Sequence, residues 1–562
     1  MLDYMRRLCG IGLLSMSVWA GAAFAADATL LLKNGRVWTG NPKQPWAEAV
    51  AVEGNKIVAV GSTKDVAAKA GKATEVIDLG GRLVSPGFND AHIHFLGGSL
   101  GLAQVDLTGA CTLPAMQERI SAWARKYPNE QWVTGTGWEY YCFPEQRLPT
   151  RQDLDAIVKD RPVFLSAYDG HTGWANSEAL RIAGVTRKTD YSGFGEVVRD
   201  AAGEPTGCLK EGAQSLVRRH IPPPTKARQI AALRDGMKMA ARLGITSIQN
   251  ASGGPADVGL WENLLDENAL TLRVAVAMSM SPGSTADSLK RVAPLRAKFK
   301  GPMLRVAALK IVMDGVIESH TAAMLEPYSD GTEDRGTPAW SADQYNTFVA
   351  LADKEKWQIY THAIGDRGVR VALDGYENAQ KKNGVRDSRH RIEHIEVIDP
   401  SDIPRFAKLG VMPSMEPIHA DPATVEVWSK AVGPKRLPYS FPWQALASSG
   451  AKLVFSSDWP AAISVNPIRG LHNAVNRQTI DGKPAGGWIP DQRVSVETAL
   501  RAYTVMGSYS SFEESVKGTL APGMLADIIV LSQNLFEVPP AKIHETNVVL
   551  TISDGKIVHR AL

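Results

Sequence analysis

Two histidines close an apolar run early in the chain and are the first residues that could do chemistry. His92 and His94 are two positions apart in the segment that follows Leu83 and Val84. Residues two apart on a β-strand project to the same face, so both imidazoles can reach one metal ion from a strand end. A His-x-His pair alone fits a structural or solvated role equally well. Its weight therefore depends on which further ligands the chain supplies.

Further side chains that suit a metal centre lie at or near the ends of later strand-like segments. Neutral imidazoles bind zinc and similar ions, and a carboxylate completes the shell while leaving a position for water. That carboxylate could also accept a proton from the water and pass it to a leaving nitrogen. A lysine is protonated at neutral pH and is a poor ligand unless carbon dioxide carboxylates it. The candidate ligands of one or two divalent ions, with zinc favoured, are His92, His94, Lys310, His362, His394 and Asp458, and Asp458 is also the candidate catalytic base.

Strand-like and helical segments alternate through the centre of the chain, which is the pattern of β/α units around a parallel sheet. Helix-like stretches, for example 342–356 and 367–382, lie in the gaps. Eight such units close as a (β/α)8 barrel, whose active site lies at the carboxyl ends of its strands. An open doubly wound sheet would need a glycine-rich phosphate loop after its first strand, and the sequence has none there. The predicted strands are 83–94, 245–250, 272–279, 305–315, 358–365, 391–396, 411–416 and 452–458.

Both ends of the chain have a different sequence pattern, in which short runs of β-forming residues are separated by turns. Asn34-Gly35 and Asp554-Gly555 are turn signals of the kind found between paired strands. We therefore expect residues 26–84 and 518–562 to share one small β-sandwich beside an α/β barrel domain at 85–517. The gap after the first barrel strand, about 95–244, is too long for one crossover. It predicts an insertion that packs over the barrel mouth and helps to enclose the substrate.

Composition points to a small-molecule partner. The chain has 562 residues and a formal net charge of +3, with no long run of like charge. Such a balance gives no sign of affinity for nucleic acid or an anionic membrane. The length allows a large core and more than one domain. A homo-oligomer is compatible with this composition.

The first 25 residues have the pattern of a secretory signal peptide. Arg6 and Arg7 precede an apolar stretch that ends in Ala23-Phe24-Ala25. The alternative, an uncleaved membrane anchor, fits the short apolar stretch less well. We therefore expect a periplasmic or secreted protein that has no stable membrane association after cleavage. The cysteines that remain are Cys111, Cys142 and Cys208, among which one disulfide is compatible with an oxidising compartment, and the sequence does not choose the pair.

Seven segments, taken in order, resemble the amidohydrolase superfamily, and within it amidohydrolase family 3, the YtcJ-like branch that includes N-substituted formamide deformylases. The resemblance implies a metal-dependent hydrolase with a (β/α)8 barrel and a flanking β-sandwich. It also implies that the four histidines named above are metal ligands, that Asp458 is a ligand and general base, and that Lys310 matches the lysine that many superfamily members carboxylate. The matching segments are 86–94, 169–177, 309–315, 361–366, 391–394, 456–460 and 517–527.

A second set of residues concerns the substrate. His171 lies in a motif shared with that family and could donate to a substrate carbonyl, which would stabilise the developing oxyanion. A structural role for this motif, in which Asp169 or Asn176 caps a helix near Ser177, is an equal alternative. Aromatic residues could line an apolar pocket, although they serve packing more often. The candidate substrate-binding residues are Asp169, Trp174, Trp138, His419 and Arg436, and His171 is a candidate catalytic residue.

The function that these residues favour is hydrolysis of a C–N bond, most simply an amide, by metal-activated water. The same ligand set also suits deamination of a cyclic amidine, or hydrolysis of an ester or lactone. A periplasmic binding protein that had lost catalysis is the alternative from another class. That alternative predicts missing ligands, and all six expected ligands are present in the sequence.

Overall fold

The computed structural model describes residues 27–562 except 144–146, 168–171, 193–194 and 332. The predicted signal peptide, residues 1–25, lies outside the described residues. None of the described helices is both long enough and apolar enough to cross a membrane.

The described strands belong to four sheets. In chain order they are β1 (Ala28–Lys33), β2 (Arg36–Trp38), β3 (Trp46–Ala47), β4 (Ala49–Glu53), β5 (Lys56–Gly61), β6 (Ala70–Asp78), β7 (Leu83–Pro86), β8 (Phe88–Ile93), β9 (Val105–Asp106), β10 (Val133–Trp138), β11 (Val163–Ala167), β12 (Thr172–Ala175), β13 (Gly195–Arg199), β14 (Pro205–Glu211), β15 (Ile245–Gly253), β16 (Arg273–Met280), β17 (Leu304–Val312), β18 (Gln358–Ala363), β19 (Arg391–His394), β20 (Met412–Met415), β21 (Val454–Phe455), β22 (Ile528–Leu531), β23 (Val548–Ser553) and β24 (Lys556–Arg560).

Helices fill most of the gaps between the central strands. In chain order they are α1 (Thr63–Ala67), α2 (Phe95–Gly101), α3 (Leu113–Lys126), α4 (Arg151–Asp155), α5 (Ser177–Ala183), α6 (Ser215–Arg218), α7 (Lys226–Arg242), α8 (Pro255–Asp266), α9 (Ala286–Lys298), α10 (Ala342–Lys354), α11 (Asp366–Asn383), α12 (Ile403–Leu409), α13 (Glu426–Val432), α14 (Trp443–Ser448), α15 (Pro467–Asn476), α16 (Val496–Tyr503) and α17 (Val505–Ser510).

The central sheet is a nearly closed parallel barrel of eight strands, in the order β21-β20-β19-β18-β17-β16-β15-β8. Each strand lies within or overlaps one of the eight predicted segments, so the predicted barrel is confirmed. At the seam between β21 and β8, the Asp458 amide donates to the His92 carbonyl at 2.8 Å, and the His94 amide donates to the Trp459 carbonyl at 2.8 Å. These two bonds join the ends of the first and last strands where the predicted ligands lie.

The first predicted strand, 83–94, is in fact two strands in two different sheets. β7 pairs with β2 and β22 outside the barrel, whereas β8 pairs with β15 inside it. The chain passes from one sheet to the other at Gly87, where a Cβ atom would lie 2.2 Å from the Thr246 hydroxyl oxygen. Only glycine fits so close an approach. The apolar run hid this break because both strands are fully buried.

Strands from both ends of the chain meet beside the barrel. β22 pairs antiparallel with β7, with Val530 opposite Val84, in the sheet β24-β23-β22-β7-β2-β3. A second sheet, β5-β4-β1-β6, shares an apolar cluster with the first that includes Leu32, Val52 and Ile552. The predicted domain boundary after residue 84 falls inside β7.

The insertion after β8 builds its own sheet, in the order β13-β14-β12-β11-β10-β9, over a separate apolar cluster. A disulfide joins Cys111 to Cys142, which resolves the choice that the sequence left open. The Cys208 thiol is buried and free, and burial raises its pKa to about 12.

Candidate metal centre

Three of the predicted ligands meet at the seam of the barrel. The Nε2 atoms of His92 and His94 lie 3.4 Å and 3.2 Å from Asp458 Oδ1. Asp458 follows β21 with a φ of 55°, a left-handed conformation that ends the strand abruptly. His92 is completely buried, and the His94 side chain is 35% exposed. These three side chains can place ligand atoms around one ion.

A second group shares the same carboxylate. His394 and His419 can join Asp458 around an ion, and their imidazole rings are parallel with centroids 6.0 Å apart. The Nε2 atoms of both histidines are buried and have no hydrogen-bond partner. Buried polar atoms are almost always partnered, so these two nitrogens, which face one shared carboxylate, indicate a place for a bound group. A metal ion fits these donors, because imidazole nitrogen and carboxylate oxygen are both zinc ligands.

Glutamates orient these imidazoles from behind. His92 Nδ1 donates to Glu393 Oε2 at 2.6 Å, and His394 Nδ1 donates to Glu416 Oε2 at 2.9 Å. The carboxylate accepts the Nδ1 proton, so in the neutral ring Nε2 keeps the lone pair with which it can bind an ion. His419 Nδ1 lies 3.5 Å from a third glutamate oxygen, Oε1 of Glu396. Carboxylates behind metal-binding histidines are a recurring device that fixes the tautomer.

The pKa values of these groups follow from burial and from the carboxylates. Burial lowers the pKa of His92 well below its usual value, and the charge of Lys310 lowers it further. Burial also acts against the charged form of His394, but Glu416 outweighs it and the pKa is raised. Burial raises the pKa of Asp458, yet the neighbouring imidazoles, led by His94, bring it below its usual range. Asp458 is therefore a carboxylate at neutral pH.

Lys310 lies inside the barrel beside the first group. Its Nζ is buried and 3.1 Å from His92 Nε2. Burial lowers the pKa of this lysine, which favours the neutral amine. Only the neutral amine can react with carbon dioxide, so the position suits the predicted carboxylation.

His362, a predicted metal ligand, lies beside the second group, but its Nε2 atom faces a backbone carbonyl. Its ring centroid is 4.3 Å from that of His394, and its Nε2 donates to the Gly315 carbonyl at 3.1 Å. In the described part of the chain, His419 rather than His362 completes a group of three ligands. The sequence placed His419 at the rim only as a substrate residue. The Nδ1 atom of His362 retains the lone pair with which it could bind an ion.

Sequence reasoning missed the glutamates as orienting groups. The available signal was a charged pair inside an apolar strand, Arg391 and Glu393, two positions apart in β19. Both side chains are fully buried, and the Arg391 guanidinium donates to both Glu393 oxygens, at 2.8 Å and 2.9 Å. A charged pair at such spacing in a buried strand indicates a functional interior rather than a core.

Two predicted substrate-binding tryptophans pack inside the insertion. Trp138 and Trp174 are fully buried, and their ring centroids are 6.3 Å apart. Their indole nitrogens donate to the carbonyls of Leu165 and Thr150. Both rings are enclosed by packing in this structure, and their predicted role in a substrate pocket stays a prediction. Asp169 and His171 lie outside the described residues.

Arg436 is also bound to backbone rather than placed at the centre. Its guanidinium donates to the carbonyls of Val432, Glu326 and Pro327 and to the Ser329 hydroxyl. These four bonds fasten two loops together. They use four of the five guanidinium N–H groups, and the predicted contact with substrate stays a prediction.

A buried group of imidazoles and a carboxylate at the carboxyl ends of barrel strands defines a metal-dependent type of hydrolase. The chain belongs to the amidohydrolase family, whose model matches residues 75–559. The family predicted from the motifs is thereby confirmed.

Curated relatives and solved structures cover nearly the whole chain. Protein LONG AFTER FAR-RED 3 of Arabidopsis thaliana is 31% identical over 91% of this chain and 88% of its own length. Putative amidohydrolase YtcJ of Bacillus subtilis is 29% identical over 91% and 96%, and N-substituted formamide deformylase of Arthrobacter pascens is 27% identical over 94% and 97%. An uncharacterized metal-dependent hydrolase from Pyrococcus furiosus matches with a TM-score of 0.73 and 26% identity, over 90% of this chain and 99% of that one.

Proposed function

We propose that the protein hydrolyses a C–N bond of the amide type in a small molecule, using one or two zinc ions. The observation that carries this proposal is the grouping of the buried, unpartnered Nε2 atoms of His394 and His419 with the carboxylate of Asp458. The relative named N-substituted formamide deformylase supports an amide-type substrate.

The chain offers two positions for an ion that share Asp458. One would be held by His92, His94 and Asp458, and the other by His394, His419 and the same carboxylate. Lys310, once carboxylated, would add an oxygen beside His92. When bound, zinc supplies Lewis acidity, which lowers the pKa of water and polarises an amide carbonyl.

The protein's own groups then move the proton. Asp458 is ionised and accepts a proton from the attacking water, whose oxygen forms the new bond to the carbonyl carbon. The C–N bond breaks, and Asp458 returns the proton to the nitrogen, which leaves as an amine. We keep His171 as the proposed donor to the carbonyl oxygen.

Metal analysis of the purified protein and a substrate panel test this function. We expect stoichiometric zinc and zinc-dependent release of amine from N-formyl or N-acyl compounds. Esters, lactones and cyclic amidines serve as comparison substrates. Faster turnover of one of those classes would replace the amide assignment, and absence of both metal and turnover would favour a binding protein.

Lys310→Ala tests the bridging role. We expect loss of one metal equivalent and of most amidase activity, because no other group would supply that oxygen, with partial recovery in added short carboxylic acids. Metal content and turnover are measured together. Lys290→Ala, at an exposed helix position, is the matched control. Full activity in Lys310→Ala would remove the bridging role.

We further propose a periplasmic or secreted location. The disulfide between Cys111 and Cys142 is compatible with an oxidising compartment. Amino-terminal sequencing of the exported protein should begin near Ala26, and an intact Met1 would contradict this location.

A further inference from the structure

We propose that the barrel wall formed by β16 and β17 is the subsite for an uncharged, apolar substituent of the substrate, and that Val312 sets the size this subsite accepts. The inference rests on the proposed function, because it assigns a substrate class to the same centre.

The strand register places Val312 directly above the metal centre. Lys310 points into the barrel, since its Nζ lies 3.1 Å from His92 Nε2. Val312 is two residues further along β17, so it projects from the same face about 6.6 Å nearer the mouth. Its partner on β18 is His362, whose ring contacts that of His394. Val312 therefore borders the space in which a substrate must approach the candidate ions.

Exposure shows that this space is open. Val312, the last residue of β17, is 47% exposed, whereas the residues before and after it, Ile311 and Met313, are completely buried. Ser279 on β16 is the register partner of Lys310, and it is exposed between buried Met278 and Met280. The inner side of both strands is thus open to solvent at Ser279 and Val312.

β15 and β16 carry no candidate metal ligand, whereas the candidates lie on or just after β8 and β17–β21. The candidate on β17, Lys310, lies deeper in the barrel than Val312. A substrate can occupy this side without displacing a ligand. From Val274 to Met280, β16 carries no charged residue. Val316, in the loop after β17, is 41% exposed. An exposed apolar surface next to a polar centre suits an alkyl group.

Straight-chain alkyl hydroxamic acids of increasing length test the subsite without turnover. The hydroxamate group binds zinc, and the alkyl tail reports on the neighbouring wall. In the zinc-loaded wild-type protein we expect affinity, measured by calorimetry, to rise about fourfold per added methylene over the first few carbons. In Val312→Phe the added ring fills the space beside β16 and β17. Affinity should therefore no longer rise with each added methylene. Val312→Ala should extend the rise to longer tails.

Val385→Phe is the matched control, because Val385 is 84% exposed in the loop before β19, at the other end of the barrel. It should bind the series as the wild type does. Length-independent binding in the wild type, or the same increments in Val312→Phe, would overturn the subsite and leave the metal centre standing. Absence of any zinc-dependent hydroxamate binding would overturn the proposed function together with the subsite.

Discussion

Buried charged side chains form groups at both ends of the barrel strands, and the two groups are satisfied in opposite ways. At the amino end, Arg273 begins β16 and donates to both Asp527 oxygens, at 2.7 Å and 3.0 Å, and to Asp554 Oδ1 at 2.9 Å. We call these three residues the base cluster. At the mouth, the Nε2 atoms of His394 and His419 instead have no hydrogen-bond partner and lie beside the carboxylate of Asp458.

The difference teaches how to separate stability from function among buried charges. In the base cluster each charge finds its partner within the protein, so the cluster joins the carboxyl-terminal strands to the barrel. At the mouth, glutamates orient the imidazoles, but the Nε2 atoms of His394 and His419 are buried without partners. Leaving them so costs stability unless a ligand binds. Variants at the mouth should therefore lower activity or zinc affinity, whereas variants in the base cluster should lower the free energy of unfolding.

The largest expected effect is at the mouth. Asp458→Asn keeps the shape of the side chain but cannot accept a proton, so we expect turnover to fall by about 10²–10⁴-fold with little change in the melting temperature. Steady-state kinetics and thermal unfolding check this. Asp481→Asn, in an exposed turn with Lys483, is the control. If Asp458→Asn retained turnover, the catalytic base would have to lie elsewhere.

The base cluster should show the reverse behaviour. Arg273→Met leaves buried Asp527 without its counter-charge, so we expect a loss of about 3–5 kcal/mol in the free energy of unfolding, measured in urea. Zinc content should stay unchanged. Arg181→Met removes an exposed pair with Glu178 and should cost under about 1 kcal/mol. Equal losses of unfolding free energy in Arg273→Met and Arg181→Met would contradict the stabilising role of the base cluster. A loss of zinc in Arg273→Met would contradict its separation from the metal centre.

A smaller effect, on zinc affinity, should test whether the glutamates behind the histidines orient them. Glu416→Gln keeps the volume behind His394 but weakens the acceptor for Nδ1, so we expect zinc affinity to fall about 10–100-fold. Competition with a metal chelator measures this affinity. Glu426→Gln, at an exposed helix position beside Lys430, is the control. Unchanged affinity in Glu416→Gln would reduce that glutamate to a packing role.

Local patterns predicted much of the barrel. Helix α10 is an example: Ser341 caps its first turn, and Tyr345, Phe348 and Val349 repeat on one buried face. Such signals lie within a few residues, and the predicted helix at 342–356 ends only two residues beyond the observed one. The break at Gly87 was missed because its cause, the approach of Thr246, lies far away in sequence.

The order of apolar segments and the types of residue at their ends determined the barrel, the family and most of the candidate ligands, because strand alternation and metal preference are properties of short sequences. Only the tertiary structure decided which candidate ligands could share an ion and that His419 lies among them. It also decided that Trp138 and Arg436 make packing and loop contacts, and that Cys111 pairs with Cys142. These outcomes depend on distances between residues far apart in the chain. Such distances are fixed by packing between strands and loops, which no local pattern records.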